Sequence, residues 1–312
     1  MSGVNTYSGP TGVMNGTLRA GSATGFSTGS AFYVDSQGQL DLDNFDQTIG
    51  SLFGSGKVSL GTATLTTGAD NSTTAFSGQI AGSGGLAKTG GGDFTLAGNN
   101  TYSGATVVAA GTLQAGAVNA FSAASAMTVN MGATLNLAGY DQRIAGMNLA
   151  GTVSLAGTRP GTTLTVTGPW AGNGGLLKLG TVTPTVSDRV LLSGATAVAS
   201  GITTVQFGDA VGLGAATAGH GVEVIGTTGG ASAQGGAFVL AGGQLTGGAY
   251  EYRLNNIGSG VYLSSSTPQG QAYYRSEVPQ FAALPAQLRQ ASLAMLGHMH
   301  QRAGDDDAKA AS

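Results

Sequence analysis

One long internal repeat constrains this chain more than any other feature. Asn5-Thr6-Tyr7-Ser8-Gly9 returns as Asn100-Thr101-Tyr102-Ser103-Gly104, which sets Tyr7 and Tyr102 95 positions apart. The offset persists: Gly16-Thr17-Leu18-Arg19-Ala20-Gly21 matches Gly111-Thr112-Leu113-Gln114-Ala115-Gly116, and Phe26-Ser27 matches Phe121-Ser122. Asp46-Gln47-Thr48-Ile49 matches Asp141-Gln142-Arg143-Ile144, and Gly56-Lys57-Val58-Ser59-Leu60 matches Gly151-Thr152-Val153-Ser154-Leu155. Later the offset drifts to 90, with Gly82 to Lys88 answered by Gly172 to Lys178. A large unit present twice points to a repeat architecture, in which each unit buries its apolar face only by stacking on its neighbours.

Within each unit, short runs such as Gln39-Leu40-Asp41-Leu42 and Thr134-Leu135-Asn136-Leu137 alternate apolar and polar residues between Gly, Asn and Ser. A period of two puts the leucines on one face of a strand. A 95-residue unit divides into about four coils of roughly 24 residues, the scale of a solenoid. The predicted fold is therefore all-β: a right-handed parallel β-helix whose coils pair through main-chain hydrogen bonds and send every second side chain inward. Glycine and asparagine suit its corners, where positive φ is needed. An antiparallel sandwich or barrel is the competing reading, disfavoured because Asn-Gly and Asp-Gly hairpin pairs do not recur at regular intervals. The open end of such a stack needs a cap, expected from the C-terminal third.

Composition removes other classes. With 41% hydrophobic and only 9% charged residues, the chain has apolar surface to bury and is unlike a disordered segment. Its 56 glycines follow no collagen period. A net charge of −3 leaves no basic footprint for nucleic acid. Cysteine is absent, which excludes disulfides, a thiolate nucleophile and cysteine metal sites. No apolar run reaches the ~18 to 20 residues of a membrane helix. The start, Met1-Ser2-Gly3-Val4-Asn5, lacks the pattern of a signal peptide, so any export signal is expected upstream.

The motifs also carry a family resemblance. Gly98-Asn99-Asn100-Thr101-Tyr102-Ser103-Gly104-Ala105-Thr106, followed by Gly111-Thr112-Leu113, resembles the passenger-associated strand repeat of autotransporters, Gly-x-Asn-Thr-Tyr-x-Gly-x-Thr and then Gly-Thr-Leu. The first copy follows it from Asn5 to Leu18, with Pro10-Thr11 in place of Ala105-Thr106. Ala249-Tyr250-Glu251-Tyr252-Arg253-Leu254, then Val261-Tyr262-Leu263-Ser264, resembles the final coils of pertactin-like passengers, the autochaperone or junction region. Val261 stands where those relatives often carry Trp. Tyr274 to Pro279, Ala283-Leu284-Pro285 and Leu296 to Arg302 resemble the linker that precedes the outer-membrane barrel.

The resemblance implies β-helix repeats over 1–180, C-terminal coils forming the autochaperone or junction over 181–267, and a linker helix over 268–312 leading to a barrel absent from this chain. It also implies type V secretion and a Gram-negative cell surface, with the passenger anchored or released. The partners it implies are the chain's own outer-membrane barrel and a host surface or matrix component, met by a monomer. Tyr250, Tyr252, Leu254, Tyr262 and Leu263 are the candidate folding nucleus of the last coils; they also suit plain core and cap residues.

From Glu277 to Arg302 the glycines thin out, and Leu284, Leu288, Ala291, Met295 and Met299 fall at helical spacing. Pro285 suits the first turn of this helix and Gly304 its stop. Its apolar side is expected to be exposed, or to pack on the final coil or on a second chain. Asp305-Asp306-Asp307 reads as a solvated tail rather than a metal site, because three consecutive carboxylates cannot converge.

No catalytic, cofactor or metal residue is assigned. Gly25-Phe26-Ser27-Thr28-Gly29 is a literal G-x-S-x-G, but glycine is frequent enough to produce it by chance and no helix follows it. His220 lies in a Gly-rich turn, and His298 and His300 point apart on the terminal helix, so Ser27 has no evident base and zinc no evident pair. No dinucleotide or P-loop motif occurs, and no cofactor is expected. One enzymatic alternative has physical content: a carbohydrate-active β-helix in which Asp41 and Asp43 project outward near Asp35 and Asp46. The second unit carries Asn136 and Ala138 at the first two of these positions. A further alternative is a stalk for an enzymatic domain encoded upstream. The leading reading is a structural, adhesive surface module whose last coils promote passenger folding.

Overall fold

A computed structural model describes residues 1–158, 161–180, 182, 186–208 and 214–310, with side chains through Met299. The chain winds into a parallel β-solenoid of about eight turns followed by one helix. The alternation read from the sequence becomes ladders of like residues along the axis. Leu18 pairs with Leu40, Leu40 with Val58 and Val58 with Ile80. A longer ladder runs through Phe94, Leu113, Leu135, Val153, Leu177, Val205 and Leu240. All seven are buried. Removing each such side chain from water contributes about 1.5–3 kcal/mol, so one ladder is a substantial part of the core.

The coils of the first unit are shorter than the predicted 24 residues, whereas late coils are longer, 28 residues from Leu177 to Val205 and 35 from Val205 to Leu240. From Leu18 to Leu40, Val58 and Ile80 the steps are 22, 18 and 22 residues. Four coils therefore use fewer than 95 residues, and the second copy of the repeat lands on a different face. Gln47 belongs to the ladder Leu65, Leu86, Thr106, Met127 and Met147. Its mate Gln142 pairs instead with Leu164, and through it Val190, in the other sheet. The repeat is thus a local module that the solenoid carries round its axis.

At some corners successive coils touch backbone to backbone. A Cβ at Gly78 would lie 1.8 Å from the Gly56 carbonyl oxygen, and one at Gly98 would lie 1.8 Å from that of Gly78. Only glycine fits this column. Gly16 and Gly111, equivalent in the two units, both turn with positive φ, 73° and 65°.

A lysine also faces the interior. Lys88 stands between Thr67 and Val108 on an inward-facing ladder and is fully buried. Its ammonium donates to the carbonyls of Thr89, Gly90 (2.9 Å) and Ala110 (3.3 Å). Burial lowers its pKa, against the pull of Asp93 and Asp70.

The expected cap is present, and it reverses strand direction. Val222–Thr228 pairs parallel with Arg189–Ser193 but antiparallel with Gly260–Ser264. That strand pairs antiparallel with Tyr250–Ile257, which in turn pairs with Leu245–Gly247. A coil that ends in antiparallel hairpins no longer offers a parallel edge to a further coil. Of the five aromatic and aliphatic residues singled out here, Tyr252 and Leu263 are fully buried, whereas Tyr250, Leu254 and Tyr262 are half-buried. The Tyr252 hydroxyl accepts from the Gly214 amide and donates to the Ala215 carbonyl, both at 2.7 Å. Tyr262 donates to Glu223, which pairs with Arg189 at 3.0 Å.

The terminal helix, Val278–Ala310, is longer than predicted, and two of its assigned boundaries move. Pro279, not Pro285, occupies the first turn. Pro285 lies inside, where its missing N–H removes one helical bond. The helix also passes through Gly304, where a single glycine costs about 1 kcal/mol and Gln301, Arg302 and Ala303 before it favour helix. Its apolar side chains are exposed: Phe281 71%, Leu288 59%, Met295 69% and Met299 68%. No described helix is long and apolar enough to cross a membrane. The Asp305 to Asp307 and His300 side chains lie outside the described residues.

Gly78→Ala should lower unfolding stability by about 1–3 kcal/mol in urea titrations, because neither backbone can retreat. Lys88 binds its proton less tightly folded than unfolded, so unfolding takes up protons between its folded value and the ordinary 10.5. Stability should therefore rise with pH across that window, and Lys88→Met should flatten the rise.

Candidate functional site

The repeated residues converge on one construction at the coil corners, made twice. Tyr7 and Tyr102 each share a hydrogen bond with a threonine four residues on, Thr11 at 2.8 Å and Thr106 at 2.7 Å. Each threonine hydroxyl meets a serine of the next coil, Ser30 or Ser125, at 2.8 Å. Those serines donate to the carbonyls of Gly9 and Gly104 at 2.7 Å. Asn5 and Asn100 donate one coil ahead to Gly25 and Ala120, again at 2.7 Å. Gln47 and Gln142 reach back, accepting from the Phe26 and Phe121 amides at 3.0 Å.

These side chains satisfy backbone groups that a corner takes out of the sheet ladder, and leaving such a group unpaired costs about 1–3 kcal/mol. Tyr102 is fully enclosed there, and burial pushes its phenol up to about 12. Glutamine at an inward alternating position was the sequence signal for this role. A lone polar residue does not by itself reveal its partners.

Ser27, the centre of the G-x-S-x-G, belongs to the same construction. It is fully buried and donates to the Tyr7 carbonyl, as Ser122 does to Tyr102. A serine in that setting has neither a base nor access to solvent.

The carboxylates Asp35, Asp41, Asp43 and Asp46 do not share an outer face as expected. The strand Ala31–Asp41 ends at Asp41, and Asp43 follows in the left-handed region with φ 47°. Asp41 is largely buried, bonds the Asp43 amide at 3.0 Å and pairs with Arg19 at 2.8 Å. Asp46 accepts from the Thr64 amide at 2.7 Å, and Asp35 accepts from the Tyr33 hydroxyl at 2.9 Å. The Tyr33 hydrogen bond holds the Asp35 carboxyl below its ordinary pKa.

The second unit explains Asp41. Asn136 bonds the Ala138 amide at 3.0 Å, and its amide nitrogen donates to Gln114 at 3.0 Å. Gln114 stands where Arg19 does. The ionic pair of one unit is the amide pair of the other, which marks both as turn supports.

His220 lies 5.7 Å edge-on to Tyr262, and His298 is exposed on the helix. Among the described residues no group of three or more metal-ligating side chains is assembled.

One open groove has free polar side chains. It measures about 360 Å3 and lies along the corner of the second unit, between Asn99, Thr101, Asn119, Ala123, Ala124 and Arg143.

Two families match this chain. The Autochaperone Domain Type 1 matches residues 147–254, and the Passenger-associated-transport-repeat matches residues 1–20 and 86–115, which hold the two corner motifs. The Adhesin BmaC autotransporter of Brucella suis biovar 1 (strain 1330) is 46% identical over 82 residues, 24% of this chain and 2% of that protein. The Uncharacterized protein YuaQ of Escherichia coli (strain K12) is 28% identical over 186 residues, 54% of this chain and 13% of that protein. The chain thus spans a small fraction of the length of either relative. With a parallel solenoid, twice-built corner motifs and both family matches in place, the chain belongs to the passenger domains of autotransporters.

Proposed function

We propose that this chain is the membrane-proximal part of an adhesive passenger, and that its last coils promote folding of the coils before them during secretion. An autotransporter passenger works at the outer membrane or cell surface of a Gram-negative bacterium, with its own β-barrel as partner. In this reading 1–180 is the repeat stack, 181–267 the folding aid and 268–312 the linker into the barrel. The exposed apolar side chains of the terminal helix support the last assignment, since they await a surface that the solenoid does not supply. The adhesive role draws on the relative named an adhesin.

The observation that carries the folding role is the reversed cap. Its antiparallel hairpin of Tyr250–Ile257 with Gly260–Ser264 joins residues close in sequence, and Gly260–Ser264 then pairs with the Val222–Thr228 strand. Hairpins of low sequence separation close fast, whereas each parallel coil must first close a loop of about 20 residues. A cap that forms early offers its Val222–Thr228 strand as the template on which Arg189–Ser193 and earlier coils add in turn.

The matched families are not enzymatic. The carbohydrate-active alternative at Asp41 and Asp43 finds no support, because Asp41 is held by Arg19 and replaced in kind by the Gln114–Asn136 pair. Asp41→Asn should leave any polysaccharide turnover unchanged.

Stopped-flow refolding tests the folding role. Tyr252→Ala and Leu263→Ala should slow refolding of the whole stack at least tenfold while changing unfolding rates little, the pattern of residues structured in the transition state. Faster unfolding with unchanged refolding would make the cap a stabiliser only.

A further inference from the structure

The internal repeat supplies its own control for deciding which residues serve the fold. Beneath the groove of the second unit, Asn100, Phe121 and Ser122 keep the identities and contacts of Asn5, Phe26 and Ser27. At its rim the identities change: Val4 becomes Asn99, Thr24 becomes Asn119 and Thr48 becomes Arg143. In the first unit the Thr24 hydroxyl turns back to the Gly3 carbonyl at 3.1 Å. Asn99, Asn119 and Arg143 are exposed, and among the described residues none makes a side-chain hydrogen bond or an ion pair. At Asn119 the backbone is left-handed, with φ 53°, which itself favours asparagine, but the first unit builds the same corner without Asn99 or Arg143, so these two answer to something outside the fold.

We infer that this groove binds a carboxylate-bearing sugar, with the Arg143 guanidinium on the carboxylate and the Asn99 and Asn119 amides on ring hydroxyls. No acidic side chain lines the groove, which leaves Arg143 as its only charge and selects an anion. Primary amides donate and accept at once, as vicinal hydroxyls require. Ala123 and Ala124 are exposed and small, a shallow floor on which a sugar ring can lie.

An acidic peptide fits less well. The backbone here is already paired, Thr101 amide to Ile80, Ser103 amide to Gly82 and Asn119 amide to Asp141, so no strand can be added. The rim also offers no deep apolar pocket for an anchor residue.

This inference rests on the adhesive reading for its biological sense but is tested separately. The 312-residue chain is titrated by calorimetry with 3′-sialyllactose and a hyaluronan tetrasaccharide, whose comparison separates a sialate from a uronate. Lactose and a glutamate-rich peptide serve as controls. At least one carboxylated saccharide should bind, more weakly as salt rises, and lactose should not. Arg143→Thr should weaken binding at least tenfold, and Asn99→Val severalfold. These variants install residues that the first unit carries at the equivalent places, so circular dichroism and melting should be unchanged.

Failure of both carboxylated saccharides to bind, equal binding by Arg143→Thr, or stronger binding of the peptide would overturn the proposal. Adhesion of the chain to cultured cells in the absence of saccharide binding would sink the groove and leave the adhesive reading intact. Saccharide binding without adhesion would do the reverse.

Discussion

Everything in this solenoid depends on pairing the backbone of one coil with the next, and corners are where that pairing fails. A chain turning from one sheet face to another takes several N–H and C=O groups out of the ladder. Here they are met by side chains from adjoining coils: Asn5 and Asn100 one coil ahead, Gln47 and Gln142 one coil back, and the Tyr, Thr, Ser relay between them. Such bonds tie each coil to its immediate neighbours and to nothing further. Stability is then a sum of local interfaces, which lets a solenoid of any length form by addition.

The same locality explains how the repeat can fall on two faces. Its hydrogen bonds span at most 25 residues, so the module does not sense how many coils separate it from its copy. A repeat length that is not a whole number of coils rotates the second copy and presents a different set of outer residues to solvent. Core identities are held, as in Phe26 and Phe121, while rim positions such as Thr48 and Arg143 diverge. A surface protein can thereby vary what it displays with little effect on what holds it together.

Much of the fold was legible. The alternation at Leu40 and Leu135 gave inward ladders, and the change of period after Glu277 gave a helix. What escaped was whatever depends on partners distant in sequence. Asp41 looked like a free carboxylate because Arg19, 22 residues earlier, is invisible to local pattern. The burial of Lys88 is likewise hidden, because nothing nearby in sequence announces three carbonyls turned toward its ammonium. The early coils are shorter than an even division of the repeat implies, because the repeat does not close on itself after a whole number of coils. Pro285 and Gly304 have strong boundary propensities, yet the helix runs through both, carried at Pro285 by the alanine and leucine on either side. The polar rim of the second unit is visible in the comparison of copies, where Thr48 is matched by Arg143, but the groove it borders joins residues of three coils that local pattern does not bring together.

The central claim is that coils are held pair by pair and the reversed cap is the firmest element. Native-state hydrogen exchange under increasing denaturant tests it most directly, since it reports opening free energies segment by segment. The account predicts that amides of the first coil, Thr11–Arg19, open at the lowest free energy, that protection climbs along the stack, and that Val222–Thr228 and Gly260–Ser264 open last. A single global opening shared by all coils, or a cap that exchanges before the first coil, would contradict it.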